Sequence, residues 1–414
     1  MFSRTIPYAL RFLCGILLVS VLGMTGCGNA AAQNGIIGGG LQKDAMQERA
    51  EILYELPTYK PGIWPDLSGY ASGEEKRAML QEPSGEFSVR SAESGEEVYR
   101  GESRQGFAYF TQVKKSGTYY LETDTYGQSA YFEISETHYA DAFLQVYDTY
   151  IAKSEEITPQ DIIALLQAYE WMPDAFALAK ENGMPDVPEY VQTYIASKDL
   201  AEVADAEKGL YAVLLSKFAY TIRVQDTNLA TTCLQKASSL LGEAQQDDAI
   251  HFRGICEVYR LTQEDGLRAQ IDSYEELFRN RSVLSDRDYI YGAMTYMSTR
   301  GPITKHVCDT MMDVIAKRAE EIIGDAADFG YTRTAQMEAA SYTQKLQEMI
   351  CANYVLGGYQ SNGVISNYLH ALSGVNAAGE NYWGEAALSD AVMVYAWMAQ
   401  LEQNEKLWLG FARQ

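Results

Sequence analysis

Apolar positions recur with two different spacings along the chain, and the change falls near residue 137. Between Leu56 and Glu136 they alternate. Phe87-Ser88-Val89-Arg90 steps from face to face, Ser94-Gly95 turns, and Glu97-Val98-Tyr99 resumes. Phe107-Ala108-Tyr109-Phe110, Thr118-Tyr119-Tyr120-Leu121 and Ala130-Tyr131-Phe132-Glu133-Ile134 follow, with Lys115-Ser116-Gly117 and Tyr126-Gly127 as turns. Successive strand side chains point to opposite faces, so short aromatic and β-branched runs divided by turns predict a small antiparallel sandwich. Its length of about 80 residues suits one immunoglobulin-like module.

From His138 onward the spacing is helical. Ile162, Leu165, Leu166 and Tyr169 form one stripe, and Leu210, Val213, Leu214 and Phe218 another. Leu229, Cys233, Leu240 and Leu241 follow suit, as do Val307, Met311, Val314 and Ile315. Asn182-Gly183, Gly242, Asp265-Gly266, Gly301-Pro302 and Gly358 break the pattern. Twelve helical segments are predicted, beginning near 139, 159, 186, 207, 227, 249, 267, 286, 303, 335, 364 and 385. No fixed-length repeat recurs, which argues against a tetratricopeptide array. A toroid of six hairpins and an irregular solenoid both accommodate twelve helices.

The first residues read as an address. Arg4 and Arg11 flank the start of an apolar run from Phe12 to Met24. The run falls short of the roughly 20 residues of a bilayer span and has the form of an export signal. It closes on Met24-Thr25-Gly26-Cys27, which resembles a bacterial lipobox. That resemblance implies cleavage before Cys27, lipidation of its thiol, and a mature protein held outside the cytoplasmic membrane by lipid alone. Plain secretion is the alternative. Gly28 to Gln42 has no periodicity and reads as a tether. The resulting division is signal and lipidated Cys at 1–27, tether at 28–50, immunoglobulin-like β-sandwich at 51–137 and helical domain at 138–414.

Composition narrows the partners. The 414 residues carry 33 Lys and Arg against 56 Asp and Glu, a formal net charge of −23. Phosphate backbones and anionic headgroups repel such a chain, which excludes nucleic acid and a basic membrane face. Thirty tyrosines offer flat faces with hydroxyls, which suit sugars and half-buried surfaces alike. Cys14 leaves with the signal. Cys233, Cys256, Cys308 and Cys351 lie in apolar helical patterns without C-x-x-C spacing and read as buried free thiols, although export leaves disulfides open. Four scattered histidines form no zinc-type cluster, and no metal or cofactor is expected.

Several stretches, in order, resemble glycoside hydrolase family 9, in the branch with an immunoglobulin-like cellulase domain before an (α/α)6 barrel. Gly117 to Leu121 with Ser129 to Ile134 is similar to the end of that family's sandwich. Leu165-Leu166-Gln167-Ala168-Tyr169-Glu170-Trp171-Met172-Pro173-Asp174-Ala175-Phe176 resembles its "LLLAYE-x-FPD" helix, and Asn182-Gly183-Met184-Pro185-Asp186 its "GIPD" turn. Tyr211 to Tyr220 is like its "FAAVMAQAARVY" helix. Leu372 to Tyr382 matches "LLGRN-x-x-G-x-SY" at Gly374, Asn376, Gly379 and Tyr382. The resemblance spans about residues 55 to 402. It implies a multidomain β plus all-α fold, a sandwich followed by a six-hairpin toroid, and a polysaccharide such as β-glucan as ligand.

The resemblance thins where the chemistry should be. Inverting hydrolysis needs a carboxylate base to activate water and a carboxylic acid to protonate the leaving oxygen, about 6.5–9.5 Å apart. The family's D-A-G-D base turn before the "LLLAYE" helix is absent, with Ser154 to Gln160 in its place. The sugar-gripping His-His-Arg segment is missing too. Gly384-Glu385-Ala386-Ala387-Leu388-Ser389-Asp390-Ala391 is similar to the terminal "NE-V-A-I-x-W-N-A", which sets Glu385 on the catalytic acid. A Glu in the first turn of a helix, favoured by the helix dipole, is the competing reading. Asp148 and Asp141 are the substitutes for the base, and each also suits a solvated helix face. Trp171, Tyr382 and Trp383 are candidates to stack on sugar rings, with core packing as the alternative. Two classes of function follow: an anchored inverting glycoside hydrolase with weak or lost activity, and a non-catalytic glycan-binding or structural lipoprotein.

Overall fold

The computed structural model describes residues 62–404, apart from 83–84, 246–247, 328, 334–337 and 360. The signal, Cys14, Cys27 and the tether lie outside the described residues. The described residues form one compact unit.

Nine strands come first: β1 Ile63–Trp64, β2 Tyr70–Ala71, β3 Arg77–Leu80, β4 Glu86–Ser91, β5 Glu97–Glu102, β6 Phe107–Tyr109, β7 Gly117–Thr123, β8 Gly127–Gln128 and β9 Phe132–Ser135. They make two sheets, ordered β1-β3-β6 and β2-β9-β7-β4-β5, with β8 paired to β7. Alternation decides which side chains face inward. Phe87 and Val89 of β4 and Tyr119 and Leu121 of β7 share a buried cluster with Ile63, Ala78, Leu80 and Ala108 of the other sheet. The edge strand β5 carries Glu97, Arg100 and Glu102, charges that discourage pairing with another chain.

Fourteen α-helices are described: α1 His138–Ala152, α2 Pro159–Trp171, α3 Pro173–Glu181, α4 Val187–Ala196, α5 Lys208–Ile222, α6 Thr227–Glu243, α7 Ala249–Thr262, α8 Asp265–Ser273, α9 Glu275–Arg279, α10 Arg287–Met297, α11 Lys305–Ala326, α12 Ala339–Leu356, α13 Asn362–Leu372 and α14 Leu388–Glu402. The two beyond the expected twelve are α3 and α9. Pro173 cannot continue the hydrogen-bond ladder of α2, so the chain breaks at Met172 and restarts with proline at the first position. The start of α2 is set by a capping box, in which Thr158 accepts from the Asp161 amide and Asp161 accepts from the Thr158 amide.

Burial sorts the helices. On α1, Tyr139, Phe143, Tyr147 and Tyr150 are buried along one stripe, and α6 and α11 repeat that pattern. In α5 the run Tyr211 to Ala219 is buried throughout, and α14 is buried from Ser389 to Ala399. Helices α2, α7, α10 and α12 are also buried over most of their circumference. These six pack in succession: α2 on α5, α5 on α7, α7 on α10, α12 on α14, and α14 back on α2. Tyr291 of α10 joins Gln347 of α12 by a hydrogen bond of 3.2 Å. Helices α7 and α10 approach closely at Gly292, where a Cβ would stand 2.7 Å from the Phe252 ring.

The sheets rest on the helices through a third cluster, in which Met79 and Phe107 meet Val375 in the loop after α13. The Leu67 amide donates to the Ser373 carbonyl at 2.9 Å. Gly374, at φ +133°, keeps that approach open, since a Cβ there would lie 2.9 Å from the Pro65 carbonyl.

Candidate functional site

The sequence-derived candidates fall in three places: one turn holds Tyr382, Trp383 and Glu385, α2 holds Trp171, and α1 holds Asp141 and Asp148. Glu385 ends a short 3₁₀ turn, Trp383–Glu385, and is exposed, without the apolar enclosure that a general acid uses. Tyr382 and Trp383 share that turn and are half-buried, the Trp383 indole donating to Ser373 Oγ at 3.0 Å and leaning on Tyr395. Trp171 lies at the far end of α2, is 5% exposed, and stacks on Tyr354 at 4.8 Å. Asp141 and Asp148 are exposed on α1, with Asp141 accepting from Thr137 Oγ1 at 2.8 Å. The matched positions of the Leu372–Tyr382 stretch shape a turn. Asn376 is fully buried and its amide donates to the Ala371 and Glu380 carbonyls at 2.7 Å each, while Gly374 and Gly379 adopt positive φ.

Polar side chains gather where the mutually packed helices meet. At the carboxyl ends of α2, α5 and α7, two acids and two bases form a quartet. Glu170 accepts from Lys217 at 2.7 Å and Arg260 at 2.6 Å; Glu257 faces Arg260 at 2.7 Å and Lys217 at 3.4 Å. Thr295 Oγ1 donates to Glu257 at 2.9 Å. Burial would raise the Glu170 carboxyl, but the Lys217 and Arg260 charges outweigh it and hold it down to about 2.

Toward the amino ends, Arg253 pairs with Asp288 at 2.6 Å, donates to Gln167 at 3.1 Å and lies 4.7 Å from the centre of the Tyr291 ring. Arg287 reaches Asp390 at 3.1 Å, and Gln347 donates to Asp390 at 2.6 Å. Asp390 thus gives Oδ1 to Arg287 and Gln347 and Oδ2 to Thr343, and Asp288 gives Oδ1 to Arg253. The cavity bordered by Gln160, Gln167, Arg253, Arg287, Gln347 and Asp390 has a volume of about 10 Å³. That is the room of about one water molecule, far less than a sugar ring.

A second buried cluster ties sheets to helices. His370 of α13 meets Asp66 through Nδ1 at 2.6 Å and Glu74 through Nε2 at 3.3 Å, and all three side chains are fully buried. Glu74 also accepts from Tyr139 at 2.6 Å, Ser366 at 3.0 Å and the Ala71 amide at 2.6 Å. Asp66 accepts from the Ser68 and Gly69 amides. Burial alone would lower the imidazole; the negative charge and hydrogen bonds of Glu74 and Asp66 raise it to about 9. Glu74 responds in kind, burial pushing it up and His370 more than reversing that. Ser366 Oγ stands 3.1 Å from His370 Nε2, so serine, histidine and aspartate follow the order of a hydrolase triad. With a second carboxylate on the imidazole and no exposure to water, the arrangement fastens two layers of the fold instead.

Among the described residues, no group of His, Cys, Asp and Glu is placed to hold a metal ion, and no helix is long and apolar enough to cross a membrane. Cys233, Cys256, Cys308 and Cys351 are buried free thiols; burial pushes Cys308 up to about 11.

No family model matches the sequence, and no curated protein matches it. Solved structures do match the fold. A metagenome-derived glycoside hydrolase family 9 endoglucanase is similar at a TM-score of 0.63 with 14% identity, over 77% of this chain and 84% of that one. AaCel9A, solved in complex with a cellobiose-like isofagomine, gives 0.60 and 16%, over 78% and 84%. A Bacteroides ovatus family 9 protein gives 0.57 and 11%, over 83% and 99%. The chain thus has a glycoside hydrolase family 9-like fold, β-sheets followed by a helical domain.

Proposed function

We propose that this is an exported, lipid-anchored member of the six-hairpin glycosidase type, directed at β-glucan-like polysaccharide, that holds its ligand with weak or lost hydrolysis. In this reading the succession α2, α5, α7, α10, α12 and α14 closes as the inner ring of an (α/α)6 toroid, and the two sheets are its immunoglobulin-like module. Cys27 carries the lipid and places the protein on the outer side of the cytoplasmic membrane. Similarity to endoglucanases, one of them bound to a cellobiose-like isofagomine, supports a saccharide ligand.

One observation carries the non-hydrolytic part. At the amino ends of the inner helices the carboxylates are engaged, Asp288 by Arg253 and Asp390 by Arg287, around space for about one water. Glu385, the acid that the resemblance selects, faces solvent. An inverting pair needs one free base and one enclosed acid across a sugar-sized gap.

The test is reducing-sugar release from soluble mixed-linkage β-glucan, native protein beside Glu385→Gln, with retention on the same glucan in affinity electrophoresis. Retention with equal background release from both proteins is expected. Release abolished by Glu385→Gln would make the protein an enzyme, and absence of retention would remove glucan as its ligand.

A further inference from the structure

At the carboxyl ends of α2, α5 and α12, opposite the end that the family resemblance makes catalytic, aromatic rings reach the surface over the buried quartet. Tyr354 is 38% exposed and lies nearly parallel to the indole of Trp171, 24° between planes. The indole is held from below by Tyr291, 5.8 Å away. The Tyr354 ring therefore has one face fixed on the indole while more than a third of the residue stays exposed. Beside it stands Tyr220, whose ring takes the Arg260 guanidinium at 3.5 Å and the Arg223 guanidinium at 3.6 Å. Glu170 and Tyr220 are both near enough to Tyr354 to act electrostatically on its hydroxyl.

We infer that this face is a glycan-binding platform, on which Tyr354 stacks against a pyranose ring of a neutral β-linked glucan while Arg223 bonds its hydroxyls. The inference rests on the proposed glucan reading and assigns it a place. A β-linked glucose ring carries axial C–H bonds on both faces and equatorial hydroxyls around its rim, the complement of a flat aromatic surface edged by donors and acceptors. Rigidity matters because the ring loses little freedom on binding: Trp171 has already ordered it. Arg223 is exposed, stands 3.6 Å from the Tyr220 ring centre and donates one N–H to the Tyr220 carbonyl, and a guanidinium has further N–H groups for a ligand. A neutral ligand fits the strongly acidic chain, which repels acidic glycans.

Cellohexaose titrated into the solubilised full chain by calorimetry tests the platform. Tyr354→Leu keeps an apolar cover on Trp171 but removes the flat face, and is expected to raise Kd about tenfold at unchanged melting temperature. Tyr354→Trp restores a flat ring and is expected to bind within about twofold of native. Arg223→Glu, at an exposed position, is expected to weaken binding about threefold, and it serves if the Leu variant is unstable. Native-like affinity in both Tyr354→Leu and Arg223→Glu would overturn the platform while leaving the glucan reading intact. No binding by the native chain would remove the glucan reading and the platform with it.

Discussion

Lys217 sits in a run of α5 where every neighbour from Tyr211 to Ala219 is buried, and its ammonium has no exposure at all. A charge there survives only because Glu170 and Glu257 receive it. Lys217→Met leaves two acids to share Arg260, and a loss of about 3 kcal/mol in urea unfolding is expected. His370 makes a second, pH-dependent case. Its folded value of about 9 exceeds the ordinary imidazole value, so its contribution is complete below about pH 6.5 and disappears as pH rises through 9. The titratable groups against it are Asp66, Glu74, His138 and Tyr70, whose ring lies 5.0 Å away, with Tyr139 bonded to Glu74. Glu74, held below its usual value, contributes above about pH 4.5 and loses that contribution on acidification. Native protein should lose on the order of 3 kcal/mol between pH 6.5 and 9, read as a falling melting temperature. His370→Gln should be less stable at pH 6.5 and lose less stability across that window than the native protein; a native-like slope in the variant would contradict the assignment. These residues were hidden in the sequence because a single charge in an apolar stretch looks like a solvated helix position. The available signal was a lone Lys, Asp or His inside runs apolar on every face, as in Tyr368-Leu369-His370-Ala371-Leu372.

The elements were far more legible. Spacing and breakers place the starts of α2, α6 and α7 at 159, 227 and 249, where the helices begin. Strong local signals account for that: Thr158-Pro159 with Asp161 at α2, and the Asp226 and Asp248 caps at α6 and α7. Thr158→Ala removes half of a capping box and is expected to cost about 1 kcal/mol, measured by chemical unfolding. Gly292→Ala pushes a methyl against Phe252 and the α7 backbone, with an expected loss of about 1–3 kcal/mol. Unchanged stability in that variant would mean that α7 and α10 lie farther apart than described. The strands were half legible. β4 and β7 alternate cleanly, whereas β1 and β2 have two residues each and Arg77-Ala78-Met79-Leu80 of β3 is buried on both faces, so neither shows a period of two. The Leu372–Tyr382 motif was legible as a resemblance, but its Gly374, Asn376 and Gly379 form a turn, which explains why it persists apart from the missing catalytic turn.

At the scale of the whole molecule, sheets and helices are joined by an apolar contact at Val375 and an ionic one at His370, within one compact unit. Buried ion pairs join the helices at both ends, in the Glu170 quartet and at the Arg287–Asp390 pair. A fold like that of family 9 endoglucanases is thus combined with an interior devoted to holding itself together. Under the proposed function such a molecule keeps a glucan chain whole. Cellohexaose incubated for a day with an equimolar amount of the full chain, then analysed by mass spectrometry alongside its binding isotherm, addresses it most directly. Saturable binding with the hexasaccharide recovered intact is the expected result. Recovery of cellobiose and cellotetraose, lost in Glu385→Gln, would contradict it.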